Sequence, residues 1–384
     1  MLNTPFVKSI YCALLLCFLF TFSFNGFAQE KKPKVVLVLS GGGAKGLAHI
    51  PTLQAMDSLG IVPDLIVGNS MGSIVGGLYA LGYSGDSIAN IAKNANWEQL
   101  MGGHVALNNV SVEEKMEFKR YLVELDWVDG NIKLGSYLLN DQSLREFISM
   151  LTFPGYKIND FDKLPIPFRA VATDIVNGKE VLLDSGSLAF AMRASMSIPG
   201  VFSNLTYSTG DFQKSEIIYN EGKLAVAENL DALVALSERL KKYNQQQVQL
   251  PVVENRFKLD TIVYNNINKT NLALVKARTN ISADTMYTRQ ELVDGINRAM
   301  GTTIFSQITF SPLVNGDKLG IQLNGFERSQ HQVKGSLHYD DYHGVGILVN
   351  YTGRNILGAA SRSLFTLDIA EQPRFRLQHQ KNFG

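Results

Sequence analysis

The apolar positions of this chain change period several times. Residues 34–39 (Lys-Val-Val-Leu-Val-Leu) form a short, nearly continuous apolar run, which predicts a strand covered on both faces. A glycine cluster follows. Leu47, Ile50, Leu53 and Met56 then recur at helical spacing, with Pro51 near the helix start, where a missing N–H costs little. A second apolar run, Leu65-Ile66-Val67, leads into a helix of small residues from Met71 to Leu81. Strand, turn and helix repeated within about fifty residues predict a parallel sheet with helices packed on it. Phe168–Thr173 predicts a further core strand.

From Glu221 to Tyr243 the pattern becomes helical, with Leu230, Leu233, Leu236 and Leu240 on one face. Gln245, Gln246, Gln247 and Pro251 mark a linker. The next stretch reads strand, helix, strand, strand over Lys258–Tyr264, Thr288–Met300, Ile304–Ser311 and Leu319–Leu323, a small α+β module. After Gln330 polar and apolar residues alternate, as in Gly335–Tyr339, Gly344–Tyr351 and Ser363–Asp368. Strands of an outer-membrane barrel read this way, and soluble hairpins share the pattern.

The first 28 residues stand apart. Lys8 is the sole charge before Glu30, Ile10–Phe22 is almost entirely apolar, and Gly26 and Ala28 sit at −3 and −1 of a cut before Gln29. Together these predict a cleaved signal peptide over 1–28 and export across an inner membrane. The apolar run is short of the ~20 residues a spanning helix needs. Removing it takes one Lys from 36 Lys+Arg against 35 Asp+Glu, so the mature chain is neutral. That balance points to no nucleic-acid partner. Both cysteines, Cys12 and Cys17, leave with the leader, which excludes disulfides, thiolate metal sites and a cysteine nucleophile. A length of 384 residues predicts two or three domains.

The strongest chemical signal is Gly68-Asn69-Ser70-Met71-Gly72, a G-x-S-x-G string between an apolar strand and a small-residue helix. Such a string builds a nucleophile elbow: the flanking glycines, Gly68 and Gly72, relieve crowding at a sharp turn that presents the serine hydroxyl. The second signal is Gly41-Gly42-Gly43-Ala44-Lys45-Gly46. It has the letters of a dinucleotide fingerprint, with Asp64 at the expected range, but no P-loop G-K-[ST]. With Ser70 downstream, the preferred reading is an oxyanion hole made by the Gly42 and Gly43 amides. Lys45 then steadies the loop or meets an anionic head group, or is simply a solvated lysine.

These residues resemble the patatin-like phospholipase family. The G-G-G-x-[KR]-G loop, the G-x-S-x-G elbow and Arg193-Ala-Ser-Met-Ser-Ile-Pro-Gly200 occur in the family's order, and the resemblance covers roughly residues 33–203. It implies a three-layer α/β/α domain with a parallel-rich sheet and a lipid acyl hydrolase with a Ser–Asp dyad. Ser70 takes the place of the nucleophile and Gly41–Gly46 that of the oxyanion loop, with no cofactor, no metal and no catalytic histidine. The remainder resembles a secreted branch that adds a POTRA-like module and an outer-membrane barrel of surface-antigen type. The implied organisation is signal peptide 1–28, patatin-like domain 29–205, helical connector 206–256, POTRA-like module 257–330 and opening barrel strands 331–384. The implied partners are a lipid or phospholipid substrate, the outer membrane of a Gram-negative-type bacterium and a β-strand partner at the POTRA-like module.

The chain departs from the family at the second catalytic residue, an Asp in a D-G-[GA] string soon after the segment matching Pro199-Gly200. Val201–Phe212 contains no D-G. Asp211 is nearest in position and stands as the candidate base. Asp129-Gly130 and Asp294-Gly295 are D-G pairs in other contexts, and Asp174 resembles a structural Thr-Asp pair. Tyr207–Gly222 resembles a connector that follows the D-G string, which predicts a missing block between Phe202 and Thr206. Three or four strands fit after Gly335, whereas a closed barrel takes about eight, which predicts a fragment or a partner chain. Two functions compete: a serine carboxylic-ester hydrolase, and a catalytically silent protein that binds strands at the POTRA-like module. His49 reads as packed or capping, and His338 and His343 with Asp340 and Asp341 read as a hairpin turn rather than a metal site.

Overall fold

The structure, a computed structural model, describes residues 32–102, 110, 112, 114–117, 120–128, 130–134, 142–174, 176–197, 212–243, 248–252, 254–316, 318–340 and 344–381. The leader, Asp129, Pro199, Gly200, Asp211, the glutamine run, Asp341 and His343 lie outside the described residues.

Val36–Leu39 (β1) runs parallel to Leu65–Asn69 (β2), with Val36 opposite Leu65 and Leu39 opposite Gly68. A 3-10 turn, Gly43–His49, and helix α1 (Ile50–Leu59) connect them. β2 hands over at Ser70 to α2 (Met71–Leu81), followed by α3 (Gly85–Asn94) and α4 (Trp97–Gly102). A hairpin of β3 (Val123–Val128) and β4 (Asn131–Leu134) then leaves this unit. The chain returns through α5 (Gln142–Thr152) to β5 (Phe168–Asp174), parallel to β2, and β6 (Lys179–Leu183), antiparallel to β5. Helices α6 (Leu188–Ser195), α7 (Ser215–Glu228) and α8 (Leu230–Leu240) complete the unit, and the sheet order is β1-β2-β5-β6.

Nearly every residue of α2 is buried, because its small side chains let it lie flat on the sheet. A Cβ at Gly76 would come 2.9 Å from Ile66 and 3.1 Å from Leu39. Phe161, Ile66, Phe168 and Met192 fill the core beside it. Leu233, Leu236 and Leu240 of α8 cover Met56 and Ile61, so the leucine face read as a connector packs on the first unit. One expectation is corrected here. The run at 34–39 is not covered on both faces: β1 pairs with β2 alone among the described strands, and Val36 and Val38 are 51% and 69% exposed. A continuous apolar run carries no mark of whether its strand is central or at an edge.

The second unit holds β7 (Phe257–Leu259), β8 (Thr261–Asn265), α9 (Lys269–Thr279), β9 (Thr285–Tyr287), α10 (Arg289–Met300), β10 (Phe305–Asn315) and β11 (Lys318–Glu327). β8 is parallel to β11, β10 is antiparallel to it, and β7 pairs with β9. The start of α10 is set by a capping box in which Thr288 and Glu291 satisfy each other's backbone N–H. Leu274, Leu292, Ile296, Phe305 and Leu323 share its core with Phe153 from the first unit. Helix α9 and strand β9 are additions to the sequence reading. The buried stripe of α9 is Asn271, Leu274, Val275 and Thr279, and two polar members hide its period.

The third unit is a six-stranded antiparallel sheet of β12 (His331–Asp340), β13 (Gly344–Arg354), β14 (Ser361–Ile369) and β15 (Arg374–Lys381), extended by the hairpin from the first unit in the order β15-β14-β13-β12-β3-β4. Val333 faces Leu125 across the junction. The sheet's two faces are inverted relative to a water-soluble one. Leu337, Val345 and Phe375 stand 63%, 71% and 73% exposed, while Asn350, Thr352, Arg354 and Arg362 are buried on the other side. Acidic residues meet the cations of that polar side, two from the segment before β3 and one from β3 itself. Glu114 pairs with Arg362, Glu117 lies 3.7 Å from Arg376, and Glu124 lies 3.1 Å from Lys334. Burial pushes Lys334 down to about 8 and Arg354 down to about 10.

Candidate active site

Ser70 stands between β2 and α2 with φ 51° and ψ −122°, outside the regions that side-chain-bearing residues favour. Such a conformation costs of order 1–3 kcal/mol and persists only where the surroundings over-determine it. Hydrogen bonds at both its amide and its carbonyl do so, the Ile74 amide adding a bond of 3.3 Å to the carbonyl. The Ser70 amide donates to Ser195 Oγ at 2.8 Å, and the Ser70 carbonyl accepts from Ser73 Oγ at 2.6 Å and from the Ser73 amide at 2.9 Å. Close backbone packing does the rest. A Cβ at Gly68 would meet the Gly72 carbonyl oxygen at 2.5 Å, and one at Gly72 would run into the Leu39 carbonyl. The result is a serine at 8% exposure at the N-terminus of α2, where the helix dipole favours negative charge.

The glycine loop lies against this turn. β1 ends at Leu39, and Gly42 and Gly43 adopt φ of 146° and 55°. A Cβ at Gly41 would sit 2.9 Å from Ser70 Cβ, and one at Gly46 would sit 2.5 Å from Met71 Cβ. Side chains at these positions would drive loop and elbow apart. The Lys45 amide closes the first turn onto the Gly42 carbonyl at 3.2 Å, and Lys45 itself is half-buried. His49 Nε2 lies 3.0 Å from the Ser40 carbonyl, so its ring ties the foot of the loop. Asp64 accepts from the Val35 amide at 2.8 Å and pairs with Lys32 at 3.4 Å. It therefore fastens the starts of β1 and β2, whereas the loop and Ser70 follow their ends.

Of the carboxylates singled out in the sequence, the two that are described, Asp174 and Asp294, are not brought to Ser70. Asp174 ends β5 and accepts from Asn177 Nδ2 at 2.7 Å and from the Val176 amide at 2.9 Å. The Asn177 side chain and these turn amides hold its carboxyl below the usual range. Asp294 lies on α10, accepts from Gln290 at 2.9 Å and faces Glu146. Asp129 and Asp211 lie outside the described residues. His338 reaches across the third sheet to Asp368 at 2.7 Å. Among the described residues, no three His, Cys, Asp or Glu side chains gather as metal ligands. No helix among them is long and apolar enough to cross a membrane. Ser195 belongs to the family-like stretch Arg193–Gly200 and Ser73 to the small-residue helix, yet nothing in those patterns assigns either hydroxyl to Ser70.

An uncharacterized NTE family protein of Mycobacterium bovis is 33% identical over 175 residues, spanning 45% of this chain and 39% of the relative. Lysophospholipase NTE1 of Meyerozyma guilliermondii is 29% identical over 197 residues, spanning 48% of this chain and 12% of that protein. The chain thus spans about two fifths or less of the length of these curated relatives. The crystal structure of full-length ExoU with SpcU from Pseudomonas aeruginosa overlaps 56% of this chain and 54% of that one, at 16% identity and a TM-score of 0.29. The family profile described as Patatin-like phospholipase matches residues 37–236, a stretch that holds the glycine loop, the Ser70 turn and the helices packed on them. That match takes in more than half of the 384 residues, and the chain belongs to the patatin-like phospholipase family.

Proposed function

We propose that the chain hydrolyses carboxylic esters of lipids, with Ser70 as nucleophile and the Gly41–Gly46 loop as oxyanion hole. The observation that carries this reading is the strained φ of 51° at Ser70 with Gly41 packed against it. Ser70 Oγ attacks the ester carbonyl carbon and gives its proton to a base. The carbonyl oxygen becomes an oxyanion held by the Gly42 and Gly43 amides. Collapse expels the alcohol, which takes a proton, and leaves an acyl-serine. Water then releases the fatty acid and restores Ser70. Asp211 is the candidate base. Without one, the alcohol stays neutral and only about 10³-fold over water remains from the hole. The name lysophospholipase on one relative favours single-chain phospholipids as substrate.

The same proposal places the protein at an outer membrane. Support comes from the third sheet, whose rows Leu125–Val333–Tyr351–Phe365–Leu377 and Val123–Gly335–Val349–Leu367–Phe375 put apolar side chains on one face. Apolar-out, polar-in alternation suits strands in lipid. Their backbone edges at β4 and β15 then need pairing, because lipid offers no hydrogen bonds. The second unit serves as a POTRA-like module.

A second reading is a catalytically silent protein that binds extended segments along the free edge of β8. It is favoured by the place of β8 at the edge of its sheet, where it pairs with β11 alone among the described strands. Turnover of lysophosphatidylcholine and of diacyl phospholipid by the full chain separates the two. Fatty-acid release that vanishes in Ser70→Ala supports the hydrolase. Equal release by both proteins, or none by either, contradicts it.

A further inference from the structure

We propose that Ser195 is a positioning residue for Ser70, acting through a two-bond bridge from the serine's own amide to the sheet. This rests on the hydrolase reading above. Ser195 is the last residue of α6 and is 7% exposed. Its Oγ accepts from the Ser70 amide at 2.8 Å and donates to the Val171 carbonyl at 2.5 Å. The hydroxyl has one proton, and Val171 takes it. The lone pair that remains receives Ser70. Both bonds exist at once, and the hydroxyl has no further proton to offer substrate.

The place of the bridge explains its use. β2 and β5 pair in register up to Asn69 opposite Val171, and the ladder ends there. Ser70 is the next residue, and its amide donates to Ser195 Oγ at 2.8 Å. Ser195 catches that amide and returns the connection to Val171, so it extends the ladder by one side chain. Ser73 holds the other end of the same residue through the Ser70 carbonyl, and its Oγ also lies 3.5 Å from the Met192 carbonyl of α6. α6 therefore reaches the elbow at two points. With amide and carbonyl both fixed, Ser70 Cβ and Oγ are held beside the glycine loop. Releasing the amide lets the strained φ relax and moves the hydroxyl relative to the loop. A displacement of about 1 Å at reacting atoms costs on the order of 10²-fold in rate.

The test uses the full chain with Ser195→Ala and Ser195→Thr. Residue-resolved hydrogen exchange reads the bridge without needing activity. The Ser70 amide is expected to be protected in the wild type. Its exchange should quicken at least about tenfold in Ser195→Ala, with the interior amides of α2 unchanged, and return in Ser195→Thr. A Ser70 amide unprotected in the wild type, or equally protected in Ser195→Ala, overturns the proposal. Phosphonylation of Ser70 by a fluorophosphonate reads the consequence. Per folded molecule the rate should fall about 10²-fold in Ser195→Ala, with the KM for a lipid ester little changed and the rate recovered in Ser195→Thr. A wild type that is protected but not labelled counts against the hydrolase reading and not against the bridge. If Ser195→Ala does not fold, the wild-type protection and Ser195→Thr decide.

Discussion

Gln142 and Ile308 hold each other by two hydrogen bonds across 166 residues of chain: Gln142 Nε2 donates to the Ile308 carbonyl at 2.7 Å, and the Ile308 amide donates to Gln142 Oε1 at 3.2 Å. The side-chain amide stands in for a neighbouring strand and docks α5 of the first unit on β10 of the second. Both partners are buried, so truncation leaves two backbone groups without a partner. Gln142→Ala should cost about 1–3 kcal/mol in unfolding free energy, read by urea denaturation. A change within about 0.5 kcal/mol would show that the contact does not hold the units together.

One turn along α5, burial pushes Glu146 up to about 7, with Asp294 of α10 adding to the rise and bonds from Gln142 and Asn297 opposing it. The folded value lies above the unfolded one, about 4.3. The folded state therefore binds the extra proton between those values, and stability falls as pH rises through that window. Glu146→Gln should flatten the dependence between about pH 5 and pH 7.5 and stabilise the protein at pH 8 by about 1–2 kcal/mol. Thermal unfolding of both proteins across that range is the measurement. An unchanged slope in Glu146→Gln would remove this carboxyl as the cause.

Gly41 faces Ser70 with no room for a methyl group, since a Cβ there would lie 2.9 Å from Ser70 Cβ. Gly41→Ala should lower ester turnover on the order of 10²-fold while the far-ultraviolet spectrum stays the same. Wild-type turnover in the folded variant would mean that the loop yields without consequence.

Ile347 and Phe365 stand on the apolar face of the third sheet, exposed by 48% and 41%. A lysine in place of either costs about 2–4 kcal/mol if the face lies at the bilayer midplane. Flotation with liposomes should drop for Ile347→Lys/Phe365→Lys, and an undiminished flotation would separate this face from membrane binding.

The mixed α/β architecture with a parallel-rich sheet was legible in the sequence, because Val36–Leu39, Leu65–Val67 and Phe168–Thr173 carry their strand character in contiguous apolar residues. The position of β1 at an edge was not, since pairing is a property of what lies beside a strand. The β3–β4 hairpin joins strands more than 200 residues further along the chain, and no local pattern in 123–134 names that partner. The seat of Ser70 was visible in G-N-S-M-G, because a sharp turn needs its glycines at fixed spacing. The grip of Ser195 was not, as it depends on α6 docking against α2 and β5.

The central claim is that Ser70 is an activated nucleophile. Treating the full chain with a fluorophosphonate and identifying the modified peptide tests it most directly. A single phosphonyl adduct on Ser70 is expected, absent from Ser70→Ala and slowed in Asp211→Asn. A folded chain that stays unmodified, or one modified elsewhere with Ser70 untouched, would contradict it.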